Sequence, residues 1–246
     1  ATVKNGLFNF SFIVPKDINY LVDKGRLSLY AENGLIDGNG VSSSFFVGSS
    51  ETSIVKDNIG PDLKVFLNDE KFVNGGLTDE NPLLIVKLFD SSGINTTSSG
   101  IGHDMVAVLD GDENNAIVLN NYYEAEKDNY QKGIVNYRFN NLTEGKHFLK
   151  IKAWDIANNS KEEMLEFTVG VKKGIRIANV YNYPNPFSEK TSFWFEHNQT
   201  NENLSVLINI YTVSGKLVHQ IQEHIQAEGN RINNIFWNGN IFTNYF

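Results

Sequence analysis

The chain has 246 residues, enough for one large or two to three small domains, and its 41% hydrophobic content lies near the globular average. Its net charge is −8, and no basic cluster is denser than Lys172-Lys173 with Arg176 nearby, which argues against nucleic acid or an anionic membrane surface as partner. It has no cysteine, which removes disulfides, thiolate zinc sites and a Cys nucleophile, and no run approaches the ~18 apolar residues of a spanning helix.

Ala1-Thr2-Val3-Lys4 leads directly into strand-like sequence with no signal peptide before it, so the chain is expected to continue a longer protein. Phe8, Phe10, Phe12 and Val14 share one face, with Asn9 and Ser11 opposite, which predicts a strand near 6–14. Further strands are predicted near 26–31 and 43–48, with Asp37-Gly38-Asn39-Gly40 as turn chemistry between them. A polar stretch at Ser49–Asp57 closes this first segment, residues 1–56.

Residues 57–171 predict about seven strands, near 62–67, 83–90, 104–110, 116–119, 134–140, 147–154 and 164–170, with turn signals spaced as in a β-sandwich. Val135, Tyr137 and Phe139 alternate with Asn136, Arg138 and Asn140, and Leu149, Ile151 and Ala153 alternate with Lys150 and Lys152. Period two with one polar face marks half-buried antiparallel strands. Residues 122–132 read as a short helical turn, and long polar loops are expected around 91–104 and 111–131. After a Lys172-Lys173-Gly174 linker, residues 175–246 hold Tyr183-Pro184-Asn185-Pro186-Phe187, then strands at Thr191–Phe195, Leu207–Tyr211 and Leu217-Val218, then Trp237-Asn238-Gly239. The remainder allows at most a short last strand, Ile241 to Phe246, so this module is expected to be short at its C-terminus.

Asp90-Ser91-Ser92-Gly93 and Asp155-Ile156-Ala157-Asn158-Asn159 each place an Asp at a strand end, where it can close the turn on downstream amides. The alternative is a calcium site built from Asp and Asn oxygens at the sandwich end. Asp110, Asp112 and Asn114 have the spacing of a calcium loop but lack its Gly and its terminal Glu, so a hairpin loop and a calcium site both stand. His103-Asp104 lacks a marked nucleophile and reads as structural. Trp154, Trp194, Trp237 and the Tyr122-Tyr123 pair fit core positions or a carbohydrate groove.

The tail motifs resemble the FlgD-like immunoglobulin-type module. Phe10-Ser11-Phe12-Ile13-Val14-Pro15-Lys16-Asp17-Ile18, Leu27-Ser28-Leu29-Tyr30-Ala31, Gly60-Pro61, Asp90 to Asn95, Gly102-His103-Asp104, Asn120-Asn121-Tyr122-Tyr123 and Trp154-Asp155 with Asn158-Asn159-Ser160 resemble the region after the catalytic domain in PorU-type, gingipain-like (family C25) cysteine peptidases of the Bacteroidetes type IX secretion system. That resemblance implies a cell-surface, outer-membrane-associated sortase. Its partners would be its own upstream peptidase domain, an outer-membrane barrel of the PorV type and secreted cargo. It transfers no catalytic residue, because the family's Cys and His lie in a domain these segments do not match. The expected architecture is all-β, tandem immunoglobulin-like antiparallel sandwiches: a β-rich segment 1–56, a sandwich 57–171 and a FlgD-like module 175–246. The expected role is non-catalytic support and docking, with an adhesin or carbohydrate-binding module as the alternative.

Overall fold

The computed structural model describes residues 1–14, 21–48, 57–97, 102–170 and 174–240. Most of the expected boundary stretch 49–57, Pro15 to Ile18, the two lysines of the linker and the expected strand Ile241 to Phe246 lie outside these residues. The described chain is almost wholly antiparallel β-structure. Two short pairs form in the first segment: β1 (Asp23–Lys24) with β4 (Phe46–Val47), and β2 (Leu27–Glu32) with β3 (Asp37–Ser42).

Two expectations fail here. Residues 8–14 join no strand, and Asp37-Gly38-Asn39-Gly40 is itself strand, facing Glu32, Ala31, Tyr30 and Leu29. The reversal sits earlier. Asn33 Oδ1 accepts the Leu35 and Ile36 amides, both at 3.0 Å, and Gly34 takes φ +82°. Side-chain closure at Asn33 outcompetes the Gly/Asn-rich stretch that follows, because Gly and Asn permit a turn without requiring one.

The middle segment is a two-layer sandwich. One sheet runs β10 (Tyr123–Glu126), β11 (Asn129–Arg138), β7 (Leu83–Phe89), β5 (Asp62–Leu67). The other runs β6 (Gly76–Thr78), β13 (Ser160–Val169), β12 (Gly145–Trp154), β8 (Val106–Leu109), β9 (Ile117–Val118). Alternation along β7 and β12 sends Leu84, Val86, Leu88, Leu149, Ile151 and Ala153 inward, where they meet Leu67, Val135 and Phe167 in one buried cluster. The stretch 111–131 is not a loop. It holds a 3₁₀ turn at Glu113–Asn115, β9, a second 3₁₀ turn at Asn120–Tyr122, β10 and the start of β11. Its expected helical turn is a hairpin, reversing at Lys127-Asp128 with Asp128 at φ +62°.

The tail packs a three-stranded sheet, β14 (Ile177–Tyr183), β15 (Thr191–His197) and β18 (Arg231–Trp237), against the pair β16 (Asn203–Tyr211) and β17 (Leu217–Gln226). Its core is small: Phe195, Leu204, Ala227, Ile232 and Ile235 are buried, with Phe193, Val206, Ile208, Ile221 and Ile225 half-covered around them.

Candidate functional site

One end of the middle sandwich gathers three carboxylates. Asp90 follows the last residue of β7, Asp155 follows the last residue of β12, and Asp57 lies just before β5. Their carboxylate oxygens lie within 4.8 Å of one another, with Asp155 fully buried and Asp90 5% exposed. An antiparallel bridge between Ile94 and Asp155 ties the two turns together. Gly60 allows the approach of the Asp57 segment: a Cβ there would stand 2.5 Å from the Ser160 carbonyl oxygen.

Much of this oxygen set already serves the turns. Asp90 Oδ1 accepts the Ser92 amide (2.7 Å), the Ser92 hydroxyl (2.6 Å) and the Gly93 amide (3.1 Å). Asp155 Oδ1 accepts the Asn159 amide and its Oδ2 accepts Asn159 Nδ2, both at 2.7 Å. Asn159 Nδ2 also reaches the Asp57 carbonyl at 3.2 Å. Burial raises the pKa of Asp155; the bonds from Asn159 oppose that rise, and the charges of Asp90 and Asp57 add to it. Three clustered carboxylates are relieved either by a shared proton or by a divalent cation. A hard cation such as calcium is the one that an all-oxygen donor set fits. The turn-closing reading of Asp90 and Asp155 is therefore seen directly, and the cluster that can attract a cation is Asp57, Asp90 and Asp155. Asp57 could not be assigned to it from spacing, because it lies 33 and 98 positions away from its neighbours in the chain.

The other sequence candidates are dispersed. Asp110, at φ +53°, accepts the Phe148 amide on Oδ1 (2.9 Å), and its Oδ2 lies 2.7 Å from His147 Nδ1. Asp112 Oδ2 accepts Asn115 Nδ2 at 2.7 Å, and Asn114 is exposed in the 3₁₀ turn. The loop's two Asp carboxylates thus bind protein groups, Asp110 on the neighbouring strand β12 and Asp112 within the hairpin. His147 is buried, with its second ring nitrogen 2.8 Å from the Thr143 carbonyl and its ring stacked on Phe167. His103 lies 4.4 Å from Trp154, whose ring also carries Lys152 Nζ at 5.0 Å. The three Trp residues are half-buried rather than core. Trp194 stacks with Tyr181 at 5.8 Å and lies beneath the Arg231 guanidinium at 5.0 Å, while Arg231 donates to the Tyr181 hydroxyl at 2.7 Å.

A second feature is an uncovered surface. Among the described residues of 1–48 none is buried. Phe8, Phe10 and Phe12 are 46%, 43% and 55% exposed, and their rings stack in sequence at 6.1 and 6.0 Å. Thr2 ties this segment to the middle sandwich through the Asp128 carboxylate, its amide at 2.6 Å.

No protein family and no curated protein matches the chain. Among solved structures it is similar to dimeric latent PorU from Porphyromonas gingivalis, with 33% sequence identity over 96% of this chain and a TM-score of 0.48. The chain spans 22% of that protein's length. The likeness is a coarse one to a PorU-related region, and at that TM-score the backbones do not overlay closely enough to carry geometry across.

Proposed function

We propose that this chain is the non-catalytic β-sandwich portion of a surface C-terminal-signal peptidase, a sortase of type IX secretion, in which it supports the catalytic domain and docks partner or cargo. The sequence motifs support the reading, as does the absence of cysteine from the chain. A thiolate nucleophile would have to come from elsewhere in such an enzyme. The observation that carries the docking role is the first segment. Its strands pair, yet Phe8, Phe10, Phe12, Tyr30 and Phe46 remain exposed. An apolar surface of this kind marks an interaction site, and the occupant proposed is the protein's own upstream peptidase domain. A PorV-type outer-membrane barrel and secreted cargo are the further partners, and the location proposed is the cell surface at the outer membrane. No described helix is long and apolar enough to cross a membrane.

The test is co-purification of this chain with the separately expressed upstream domain of the same locus. Phe10→Asp with Phe12→Asp is expected to abolish the complex while leaving the middle sandwich folded by near-UV circular dichroism. Binding undiminished by the double substitution rejects the docking role. The same holds if the upstream coding sequence lacks an α/β domain with Cys and His.

A carbohydrate-binding module is the second reading, favoured by the exposed rings of Tyr181, Tyr183 and Phe236 on the tail sheet that also carries Trp194. It predicts a glycan-dependent change in Trp fluorescence that Trp194→Ala removes.

A further inference from the structure

The two sandwiches meet through a seam of buried polar groups. We infer that this seam is a latch: it holds the middle sandwich and the tail as one body and seals the open strand edge of the middle sandwich. β6 is the end strand of its sheet and spends one edge on β13. On the other edge the Leu77 amide donates to Glu196 Oε2 of the tail at 3.2 Å, across 119 positions of chain. Asn179 Nδ2 donates to the same oxygen at 3.0 Å, and Glu196 is 4% exposed. An unpaired strand edge is a template for pairing with another chain. Here a carboxylate from the neighbouring module occupies it.

A second line of bonds runs beside the first. Asn68 leaves β5 at φ +64°. Its Oδ1 accepts the Leu83 amide (2.8 Å), and its Nδ2 donates to Thr78 Oγ1 (2.9 Å) and to Asn230 Oδ1 in the tail (2.5 Å). Asn230 in turn donates from Nδ2 to the His197 carbonyl (2.9 Å) and accepts the His197 amide on its own carbonyl (2.8 Å). Thr78, His197 and Asn230 are all buried. Close approach adds to this: Gly229 of the tail lies against the Asp69 carboxylate of the middle sandwich, which a Cβ there would have to displace.

The physics favours a single docked geometry. Separating the modules breaks the Leu77–Glu196 and Asn68–Asn230 bonds together, while the bonds to Asn179, Thr78, Leu83 and His197 stay within one module; partly satisfied buried polar groups are costly. A slid or rotated arrangement keeps these groups dry but mispaired. Domains joined by a short linker move relative to each other by default; this seam is what opposes that motion. The exposed Arg176–Glu144 ion pair at its rim contributes little by comparison.

The experiment uses the full chain and reads two quantities, hydrogen exchange at the Leu77 amide and small-angle scattering. Glu196→Ala is expected to speed Leu77 exchange by roughly tenfold or more, the ratio for losing about one hydrogen bond to a charged group, and to raise the radius of gyration. Glu196→Gln keeps an acceptor oxygen and is expected to preserve both. If Glu196→Ala does not fold, Asn230→Ala removes the acceptor that Asn68 Nδ2 uses across the seam and is expected to raise the radius of gyration and speed Leu77 exchange. Leu77 exchange and scattering that stay at the parent values in Glu196→Ala, or in Asn230→Ala, overturn the latch.

Discussion

The middle sandwich and the first 48 residues carry the same kind of sequence and end in opposite states. Both alternate apolar and polar side chains. In the middle sandwich, alternation supplies most of a buried cluster of seventeen residues. In the first segment it delivers none among the described residues, and Phe8, Phe10 and Phe12 stack against one another at the surface. Period two assigns faces to a strand; it does not supply the layer that covers them. A two-stranded hairpin is marginal alone, and the middle sandwich differs because a second sheet meets the first.

The sharpest way to break that comparison is to empty the same residue type in both places. Phe167→Ala, in the core against His147, is expected to cost about 3–5 kcal/mol, read by urea unfolding. Phe10→Ala in the isolated chain is expected to stay within about 0.5 kcal/mol. Equal losses would mean that the first segment has a core of its own. Gly60→Ala ranks next. The Ser160 backbone cannot yield to the added Cβ as a side-chain end would, and a loss of about 1–3 kcal/mol is expected. A loss near zero would show that the approach of Asp57 to Asp155 is loose.

The carboxylate cluster sharpens the comparison through pH. Asp155 has its pKa raised in the folded state, so the fold favours its protonated form. Any stabilisation from that proton is full below the ordinary Asp value of about 3.8 and declines as pH rises from there through the raised value. Asp57→Asn removes one of the repelling charges and is expected to flatten the decline, as read by thermal melting in EGTA across that window. An unchanged pH profile would remove Asp57 from the cluster's electrostatics. Added calcium separates the two forms of relief. If the cluster takes a cation, calcium raises the melting temperature of the parent chain and raises that of Asp57→Asn less. If it relies on a shared proton, calcium moves neither.

Legibility followed locality. The β5 strand at 62–67 was readable because its alternation, Leu63, Val65 and Leu67 inward, is complete within the strand. The turn at Asp37–Gly40 was misplaced because four permissive residues carry no instruction about pairing, and the β2 partner decides. β6 was invisible, being three residues long and held by β13 from nearly a hundred positions away. Asp90 and Asp155 announced their turns through the amides that follow them, whereas Asp57 joined them only when the sandwich closed.

By itself, then, the amino-acid sequence determined the all-β class, most middle and tail strands, the exclusion of cysteine chemistry and the residues that close individual turns. Each of these depends on neighbours within a few positions, or on composition. Tertiary structure alone decided that three distant aspartates share one site, that Glu196 caps Leu77 and that the first segment lies uncovered. Those outcomes depend on which surfaces meet, and alternation leaves that unspecified because every apolar face is a candidate partner for every other.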